Sequence, residues 1–589
     1  MRAFLTLLSA VWRYTRDRRG RLLLYVAMFI GANIVLLLEP LVIGRLLNTI
    51  QQIRNVPDPM ASLGILFALL IGIQFSFWAL HGPARALETT GAFHARIAFA
   101  DHVFRTVTSL PMQWHKDHHS GQTINRMRKS AYALNEFLGN GYQIIEMIVR
   151  LIGSVTAIVI LQPIAAFIAL SVTAFAFLIV FLFDRVLLRQ YEEINEREHF
   201  TASALHDYVT NIATVITLRL ESLTRNELWK RMTVYYPLFR RNSIVNETKW
   251  FLTTIVIAVM TVTVLAWYAL TTIRGGGVLL AGTVYMLYDY LQKIGSVFFM
   301  FAWKYSATVQ QYADMLASKA ILDAVPAESD PAEPLPQGWR SVTIRNLRFS
   351  YEDTAKRRHH LDGISMTLER GKNIALVGES GSGKSTLMSL LRGLHVTESA
   401  DVSCDGQTLP EGLRHLAQHV TLIPQEPEIF SNTIEYNVSV DTQQSEDELL
   451  HDIDLACFTP VLDRLPHGLK TDIAEKGVNL SGGEKQRLAL ARGIFAAKES
   501  DIILLDEPTS SVDSMNELKI HRNIFAHFAD RCIVASIHRL HLLPLFDEVC
   551  VLANGKLIER GKPAELMERD GPLGRMWKQY LRQHPRYGK

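Results

Sequence analysis

The sequence predicts an α-helical domain with six membrane spans, followed by an α/β domain of the P-loop NTPase class. Two observations support this prediction. Apolar residues make up 48% of the 589-residue chain, and in the first half they form runs of about 20 residues, the length that crosses a bilayer. In the second half, short β-branched strands alternate with helical patterns, and a glycine-rich turn follows one strand. A chain of this length needs more than one core, so two or more domains are expected.

Six apolar segments are expected to span the membrane as helices. The fourth contains twenty consecutive residues without a charge, from Ile164 to Phe183. A soluble helix of that length would carry a polar face, so a soluble core helix is disfavoured. The six segments are residues 22–50, 61–81, 142–161, 163–183, 251–273 and 278–303.

The connections between these segments differ in charge, and the difference predicts orientation. The short connections contribute Arg54 and Arg274 as fixed positive charges, whereas the N-terminal segment and the long connections, 82–141 and 184–250, are rich in arginine and lysine. By the positive-inside rule both termini face the cytoplasm. We therefore expect a multi-pass protein of the bacterial inner (plasma) membrane. A mitochondrial presequence stays open for the N-terminus, and a cleaved signal peptide is disfavoured because no A-x-A site follows the first apolar run.

The N-terminal segment and the long connections also predict local structure. Residues 1–20 carry Phe4, Leu8, Val11 and Trp12 on one helix face, which indicates an amphipathic helix lying flat at the interface. Each long connection is expected to extend the spanning helices and to turn in the cytoplasm, at residues 110–122 and 209–221. Histidines in the first turn are interpreted as part of the turn rather than as a metal site, since no second set of ligands is near. They are His115, His118 and His119, beside Asp117.

Two charged pairs fall inside predicted spans, where an unpaired charge is expensive. Glu146 precedes Arg150, and Asp289 precedes Lys293, by four residues, the spacing that neutralises charge along one helix. Mutual neutralisation is one interpretation. The other is that these faces line a polar pathway together with residues of the last span and its extension. Those residues are Tyr285, Tyr288, Gln292, Trp303 and Lys304.

A proline-rich, acidic stretch separates the two halves of the chain. We predict a transmembrane domain over residues 1–323, a linker over 324–339 and a nucleotide-binding domain over 340–589. A net charge of +3 argues against a partner held by bulk charge such as nucleic acid. The four cysteines lack metal-type spacing, and we interpret them as reduced thiols, mostly in the core of a cytosolic domain. They are Cys404, Cys457, Cys532 and Cys550.

The strongest motif is "GESGSGKST", which follows an apolar strand and opens a helix, the context of a P-loop. Its glycines let the backbone wrap phosphates, Lys384 would meet the outer phosphates, and the Ser385 hydroxyl would reach magnesium. The candidate nucleotide-binding residues in this motif are Gly378, Glu379, Ser380, Gly381, Ser382, Gly383, Lys384, Ser385 and Thr386.

A second strand, "DIILLDEP", is apolar until it ends in two acids. A parallel sheet presents such residues to a ligand at its carboxyl edge. Asp506 would hold Mg²⁺ through water, and Glu507 would polarise the attacking water. The P-loop also suits small-molecule kinases and GTPases, so these two motifs leave the reaction open.

Five motifs in a fixed order resemble those of the ATP-binding-cassette (ABC) transporters. The resemblance extends over essentially the whole chain and is to half-transporters of the exporter type (type IV), with fused transmembrane and ABC ATPase domains. The motifs are "GESGSGKST", "LIPQEPEIFSNTI", "LSGGEKQR", "ILLDEPTSSVD" and "SIHR".

This resemblance implies that two cassettes pack head to tail, so that the signature segment of one chain closes on the ATP held by Lys384 of the other. The second phosphate-binding motif in the chain would then serve the partner's nucleotide. The signature residues are Ser481, Gly482, Gly483 and Glu484, the last standing where the family often has glutamine.

The resemblance also implies roles for single positions. Tyr351 would stack on adenine, and Gln425 would contact both Mg²⁺ and the attacking water. His538 would act at the γ-phosphate, completing a catalytic set with Glu507 and Gln425. Asp513 would communicate between the two sites, and Glu475-Lys476-Gly477 would touch the cytoplasmic turns. The implied metal ligands are Ser385, Gln425 and Asp506.

The function that the resemblance implies is ATP-driven export by alternating access, with ATP and Mg²⁺ as cofactors. A second half-transporter chain and the lipid bilayer are the expected partners. Because every motif is intact, a homodimer suffices, and a heterodimer stays open. An importer of the same architecture and an ATP-gated channel or receptor are the alternatives. The substrate stays open among lipids, drug-like amphiphiles, peptides and oligosaccharides.

Overall fold

The computed structural model describes residues 2–118, 120–324, 333–351, 360–442, 444–473 and 480–584. The chain forms two compact units. Unit 1 comprises Met1–Ser109 and His119–Val325, and unit 2 comprises Leu110–His118 and Pro326–Lys589. The domain boundaries at residues 323 and 340 stay predictions, because residues 325–332 lie outside the described residues.

The first 324 residues are helical almost throughout. In chain order the helices are α1 (Arg2–Tyr14), α2 (Arg19–Leu36), α3 (Glu39–Gln51), α4 (Pro59–Ser109), α5 (Met112–Asp117), α6 (Ser120–Gly139), α7 (Gly141–Leu161), α8 (Pro163–Thr210), α9 (Ile212–Thr217), α10 (Glu221–Val234), α11 (Tyr236–Arg274), α12 (Ala281–Leu316) and α13 (Lys319–Leu322).

Five helical stretches among the described residues are long and apolar enough to cross a membrane, and they contain the first five predicted spans. The sixth predicted span falls in α12, which is not one of these five. Asp289, Gln292 and Lys293 make that helix more polar than the others. Its spanning role therefore stays a prediction. The five stretches are Arg16–Gln51, Pro59–Ser109, Ser120–Leu161, Pro163–Thr210 and Glu221–Arg274.

The first predicted span is two helices rather than one. Helix α2 ends at Leu36, and α3 begins at Glu39 with Pro40 in its first turn. Proline has no N–H and cannot continue the hydrogen-bond ladder, so the carbonyls before it need other donors. The hydroxyl of Tyr290 on α12 donates to the Leu37 carbonyl at 2.9 Å. This bond stabilises the break with a side chain from another helix.

Helices α8 and α11 are joined by buried polar contacts. Nζ of Lys249 lies 2.9 Å from Oδ1 of Asp184, and the lysine side chain is 6% exposed. The Asn242 amide donates to Oε1 of Gln190 at 3.2 Å. A buried charge costs free energy unless it is paired, so these contacts fix the register of the two helices.

Both predicted charge pairs form. Arg150 lies 2.6 Å from Glu146, and Lys293 is paired with Asp289. Mutual neutralisation is therefore seen in the structure, and the polar pathway stays a prediction. Lys304, assigned to that pathway, is buried, and its amine donates to the Asn140 carbonyl at 2.9 Å. Its position supports the break between α6 and α7.

Each predicted cytoplasmic turn contains a short helix, α5 in the first and α9 in the second. His118 follows α5, and its ring stacks on Trp114 with 4.2 Å between centroids. Its Nδ1 also lies 2.8 Å from the Trp114 carbonyl. These contacts are those of a structural turn, and His119 lies outside the described residues.

The apolar face predicted for the N-terminal segment is divided in the structure. Helix α1 forms, but Val11 is 2% exposed while Leu8 and Trp12 are 47% and 45% exposed. The ring of Phe4 meets that of Phe137 on α6 edge-on at 5.7 Å. One side of α1 is therefore covered by protein and the other side is exposed, and the position of this helix at the membrane interface stays a prediction.

The second unit is an α/β domain, as predicted. Its strands are β1 (Ser341–Phe349), β2 (Leu361–Glu369), β3 (Asn373–Val377), β4 (Ser399–Cys404), β5 (Gln407–Thr408), β6 (Val420–Ile423), β7 (Ile502–Asp506), β8 (Cys532–Ser536), β9 (Glu548–Ala553) and β10 (Lys556–Gly561). Its helices are α14 (Lys384–Leu391), α15 (Ile434–Ser439), α16 (Glu446–Leu455), α17 (Thr459–Leu462), α18 (Gly482–Ala497), α19 (Ser514–His527), α20 (Pro563–Glu568) and α21 (Pro572–Gln583).

Two sheets organise this domain. The first is antiparallel in the order β2-β1-β4-β5, and the second has the order β10-β9-β3-β8-β7-β6. In the second sheet β9, β3, β8, β7 and β6 are parallel. Strand β7 is buried on both faces: Ile503 and Leu505 face one apolar core, and Ile502 and Leu504 face the other. Burial on both faces explains why this strand is a continuous apolar run.

The four cysteines are free and buried, which confirms the interpretation of reduced core thiols. Three of them, Cys404, Cys532 and Cys550, belong to the core between the two sheets. Burial raises the pKa of Cys532 to about 12. Since the thiolate is the reactive form, this thiol is inert at neutral pH.

Candidate nucleotide-binding site

The site lies at the carboxyl edge of the parallel sheet, where four neighbouring strands end. The P-loop follows β3, Asp506 ends β7 and Glu507 directly follows that strand. Gln425 follows β6, and His538 follows β8. The strand order β3-β8-β7-β6 places these loops side by side. The carboxyl edge of a parallel sheet is the usual position of a ligand site in open α/β domains.

The P-loop forms as the sequence predicts, a tight turn between β3 and α14. Gly383 has φ +107° and caps the N-terminus of α14, a conformation that favours glycine. The Lys384 amine folds back on the loop and donates to the carbonyls of Gly378 at 2.9 Å and Glu379 at 3.3 Å. Burial lowers the pKa of Lys384, and the nearby carboxylates of Glu507 and Asp506 oppose that shift. The Lys384 amine is thus held at the N-terminus of α14. A helix N-terminus attracts anions, so both features favour a bound phosphate.

Other P-loop side chains differ in exposure. Glu379, Ser380 and Ser385 are exposed, and Thr386 is half-buried. The Ser382 hydroxyl is buried and has no hydrogen-bond partner among the described residues. A buried polar atom without a partner is costly, and this one lies in the turn that would receive a phosphate.

Glu507 is held at the centre of the site. Its Oε2 accepts a hydrogen bond from the Gln425 amide at 3.0 Å, and its Oε1 lies 2.8 Å from Nε2 of His538. Its backbone has φ +47°, an uncommon value for a residue with a side chain. Strain of this kind concentrates at functional sites. The three residues predicted as a catalytic set are therefore in contact.

The signature segment forms the N-terminus of α18. The Ser481 hydroxyl accepts from the Glu484 N–H at 3.4 Å, and Oε2 of Glu484 accepts from the Ser481 N–H at 2.8 Å. This capping box stabilises the helix start by about 1 kcal/mol. Glu484 is also ion-paired with Arg464. The glutamate that departs from the family's glutamine thus serves α18 within its own chain.

Gly482 and Gly483 differ in their surroundings. A Cβ on Gly483 would lie 2.6 Å from the Ser511 carbonyl oxygen, whereas a Cβ on Gly482 would meet nothing closer than 4.0 Å. Only Gly483 is therefore required for the contact between α18 and the segment after β7. Asp513 caps α19 by accepting from the Asn516 N–H at 3.0 Å.

Family models match both halves of the chain. The model described as ABC transporter transmembrane region matches residues 22–293, and the model described as ABC transporter matches residues 361–510. The second match includes the P-loop, Gln425, the signature and Glu507, which are the parts of the site just described.

The chain belongs to the ABC transporters.

Relatives and a solved structure extend the match along the chain. A mitochondrial protein from Oryzias latipes, named iron-sulfur clusters transporter ABCB7, is 27% identical over 595 residues, covering 96% of this chain and 77% of the relative. An ATP-dependent lipid A-core flippase from Burkholderia pseudomallei is 33% identical over 261 residues, 44% of each chain. A bacterial Atm1-family ABC exporter solved with ATP bound superposes with a TM-score of 0.80 at 22% identity, covering 95% of this chain and 98% of that one. The ABC transporter is thus an ATP-hydrolysing half-transporter of the exporter type.

The donors at the site fit Mg²⁺. Oδ1 of Asp506 is buried and has no hydrogen-bond partner among the described residues. Mg²⁺ prefers oxygen ligands and retains waters, and the oxygens of Asp506, Ser385 and Gln425 are ligands of this class. A bound Mg²⁺ would supply the partner that Oδ1 of Asp506 lacks at the end of β7.

The predicted adenine platform of the ABC transporter is Tyr351. Its ring meets the rings of Phe349, His360 and His395 at 4.9, 4.8 and 5.4 Å between centroids, in each case edge-on. Nζ of Lys116 lies 5.8 Å from the centroid of the Tyr351 ring. Lys116 is on α5, which belongs to unit 2 together with Tyr351. Glu475-Lys476-Gly477 lie outside the described residues.

Gln486 is a contact residue of this site that the sequence analysis did not identify. It lies in α18, and its side chain is buried. Its amide donates to Ser510 Oγ at 2.6 Å and to the Gln425 carbonyl at 3.3 Å, and its Oε1 accepts from the Ser511 N–H at 2.7 Å. It therefore joins the signature helix to the two loops that flank Glu507. Its position in "SGGEKQR" was the available signal.

Arg539 is a second residue that sequence analysis missed, although it directly follows His538. Its guanidinium donates to the carbonyls of Ser510 at 3.3 Å and Val512 at 3.0 Å, and it binds Oε2 of Glu517 at 2.9 Å. Glu517 is buried and also accepts from the Thr509 hydroxyl. These contacts fix the segment between Glu507 and Asp513 to the loop that carries His538.

Proposed function

We propose that this ABC transporter works as a homodimer in which each ATP is bound between the P-loop of one chain and the signature segment of the other. The contact that supports this most directly is the one between Glu507, Gln425 and His538. In one chain these residues face the P-loop edge of the sheet, while Ser481 and Gly482 begin a separate helix, α18. Among the described residues no hydrogen bond joins the P-loop to Ser481 or Gly482, so the N-terminus of α18 is available to a partner's phosphates.

Glu507 would act as the general base in hydrolysis. A carboxylate in contact with the Gln425 amide and the His538 ring is oriented on both oxygens, so it can accept a proton from water at a fixed position. His538 would then be placed to interact with the terminal phosphate, and Lys384 with the outer phosphates. Mg²⁺ held by Ser385, Asp506 and Gln425 would neutralise phosphate charge.

Coupling to transport would follow from the cytoplasmic turns. ATP must bind the closed pair of cassettes more tightly than the open pair, because only such a difference in affinity shifts the equilibrium between the two conformations. The helices α5 and α9 are the candidate elements that carry this motion to the spanning helices. We place the protein in the bacterial inner membrane with its termini in the cytoplasm, from the charge of its connections.

The substrate is proposed to carry anionic groups. An open cavity in the first unit is lined by Arg185, Arg189 and Arg241, with Gln190 and Glu193. Arg185 and Arg189 lie just beyond the predicted end of the fourth span, and Arg241 lies on α11 before the predicted fifth span. Guanidinium groups bind carboxylate and phosphate with paired hydrogen bonds. Two relatives are named for iron–sulfur clusters and for lipid A-core, so the family relation alone does not choose a substrate.

The protein reconstituted in lipid nanodiscs tests these proposals. Mg²⁺-dependent ATPase activity should rise with anionic amphiphiles more than with cationic or neutral amphiphiles of the same size. Arg185→Gln/Arg189→Gln should remove that stimulation while basal ATPase remains. Arg225→Gln/Lys230→Gln is the matched control, because it removes two positive charges at exposed positions of α10 that do not line the cavity. Equal stimulation by all three classes would contradict the substrate proposal, and an absence of ATPase activity would contradict the proposed function.

A further inference from the structure

A basic cluster lies where α1 meets α2. Five arginines fall within the nine residues 13–21, and Asp17 is the one acid in that stretch. Two of the five lie against aromatic rings of α1: Arg19 is 4.2 Å from the Trp12 ring centroid, and Arg13 is 5.7 Å from that of Tyr14. Arg19 also donates to the Trp12 carbonyl at 3.0 Å. The cluster is therefore partly organised by contacts within the segment itself.

Two other arginines line a small cavity between α2, α4 and the segment before α2. Arg18 and Arg21 share this cavity with hydroxyls and with leucine side chains. Thr15 and Thr90 supply the hydroxyls, and Leu22 and Leu87 are among the apolar residues of the wall. Both hydroxyls donate to backbone carbonyls of their own helical segments, Thr15 to Val11 and Thr90 to Ala86, so the arginines are the donors that face the cavity. Positive charge and apolar surface are thus combined in one concave site.

Exposed apolar residues on both sides of this cavity indicate its position relative to the membrane. On α1, Leu5, Leu8 and Trp12 are 56%, 47% and 45% exposed, and on α2, Leu23 and Leu24 are 58% and 53% exposed. In a chain with membrane-spanning helices, such apolar surface faces lipid. The arginines lie between α1, which is predicted to lie at the interface, and the first spanning helix, a position that would bring them to the depth of the lipid headgroups.

We propose that Arg18 and Arg21 form a binding site for the phosphate headgroup of an anionic phospholipid. The guanidinium groups would bind the phosphodiester oxygens with paired hydrogen bonds. Leu22 and Leu87 would contact the glycerol and the first carbons of the acyl chains. A lipid with a net negative charge is favoured over a zwitterionic one, because Arg18 and Arg21 bring two positive charges to the cavity and none of its described lining residues is acidic.

Binding of short-chain lipids to the purified full-length protein in detergent tests the site. Phosphatidylglycerol should bind more tightly than phosphatidylcholine of the same chain length. In Arg18→Gln/Arg21→Gln, phosphatidylglycerol affinity should fall about 30-fold, or about fivefold for each arginine. If this variant does not purify as a folded protein, Arg18→Lys/Arg21→Lys is used. It should bind phosphatidylglycerol about fivefold more weakly and still prefer it over phosphatidylcholine, since the paired geometry toward the phosphodiester is lost for both lipids and the charge remains.

Arg13→Gln/Arg16→Gln is the matched control, with the same charge change in the same segment but outside the cavity. Its phosphatidylglycerol affinity should stay within about threefold of the unmodified protein, because Arg13 and Arg16 do not line the cavity and make no paired hydrogen bonds to the phosphate there. Equal losses in both double variants, or equal affinity for the two lipids, would overturn the site. Displacement of phosphatidylglycerol by inorganic phosphate at a similar concentration would overturn the lipid assignment.

Discussion

Nε2 of His538 lies 2.8 Å from Oε1 of Glu507, so residues that follow two adjacent strands meet at the edge of the sheet. Asp506 pairs with Ser536 in the register of β7 and β8. This register places the residues after each strand side by side, and the side chains of Glu507 and His538 meet there. The contact puts the proposed general base beside the residue proposed to interact with the γ-phosphate.

Glu507→Gln should bind ATP but hydrolyse it at least about 100-fold more slowly, because a positioned general base contributes a factor of that order and an amide cannot accept the proton. Phosphate release and nucleotide binding measured on the same preparation separate the two effects. Glu499→Gln, an exposed glutamate in the same domain, is the control and should behave as the unmodified protein. Near-normal turnover in Glu507→Gln would remove this residue from the proposed role.

Lys384→Ala should weaken ATP binding about 10- to 100-fold, the range expected for loss of charged hydrogen bonds. The variant also loses the bonds to the Gly378 and Glu379 carbonyls, so thermal unfolding is recorded beside a nucleotide titration. Lys470→Ala, at an exposed position, is the control. Unchanged ATP affinity with an unfolding temperature close to that of the control would contradict the assignment.

Gly483→Ala should destabilise the cassette by about 1–3 kcal/mol, the usual cost of overpacking. Its new Cβ would lie 2.6 Å from the Ser511 carbonyl oxygen. Gly482→Ala is matched in chemistry and position, yet its Cβ would meet nothing closer than 4.0 Å. Thermal unfolding of the two variants without nucleotide makes the comparison. Equal shifts would mean that the contact between α18 and Ser511 has no energetic role.

Arg539→Ala should slow ATP turnover and leave the KM for ATP nearly unchanged. Its guanidinium holds the Ser510 and Val512 carbonyls in place, and its loss should displace the segment after Glu507 rather than the P-loop. Loss of bonds to a charged group is worth about 1.5–3 kcal/mol, so turnover should be slower by a factor of about 10 or more. Arg560→Ala, which breaks the ion pair to Glu548 on β9, is the control. A change confined to KM would contradict the positioning role.

Acidification should destabilise the cassette through His521. This imidazole is buried; burial lowers its pKa, and Nδ1–H donates to the Glu517 carbonyl at 2.9 Å. Below about pH 6.5 this histidine is therefore protonated in the unfolded chain but not in the folded chain. The free energy of unfolding falls as the pH drops through that value, by at most about 1.4 kcal/mol per pH unit. The His521→Asn variant should show a shallower fall in unfolding temperature between about pH 7 and 5, on either side of the ordinary histidine pKa. Parallel curves would contradict this.

The P-loop, the acidic strand end and the first five spans could be predicted because each is a local pattern. A glycine-rich turn after an apolar strand, or a run of about twenty apolar residues, is written in consecutive positions. The contacts of Arg539 and Gln486 could not be predicted in the same way. Arg539 reaches Glu517 across 22 positions and Gln486 reaches Gln425 across 61, and no spacing rule sets such pairs.

Two expectations about the membrane half needed the packed structure. The break between α2 and α3 has a sequence signal in Pro40, but the Tyr290 hydroxyl that stabilises it comes from a distant helix. The division of α1 into a protein-facing side with Val11 and an exposed side with Trp12 depends on the helices packed against it, α12, α6 and α4, which cover only part of the apolar stripe. Periodicity shows that a face is apolar and does not show what covers it.

The central claim, that each nucleotide is bound between two chains, is tested most directly by cross-linking. Ser380→Cys and Gly482→Cys are introduced together into a chain with Glu507→Gln, and the four natural cysteines are buried. Oxidation in the presence of Mg²⁺ and ATP should give a covalent species of twice the chain's mass, and Ser380→Cys or Gly482→Cys alone should give none. A double variant that remains monomeric after oxidation, with ATP bound, would contradict the account.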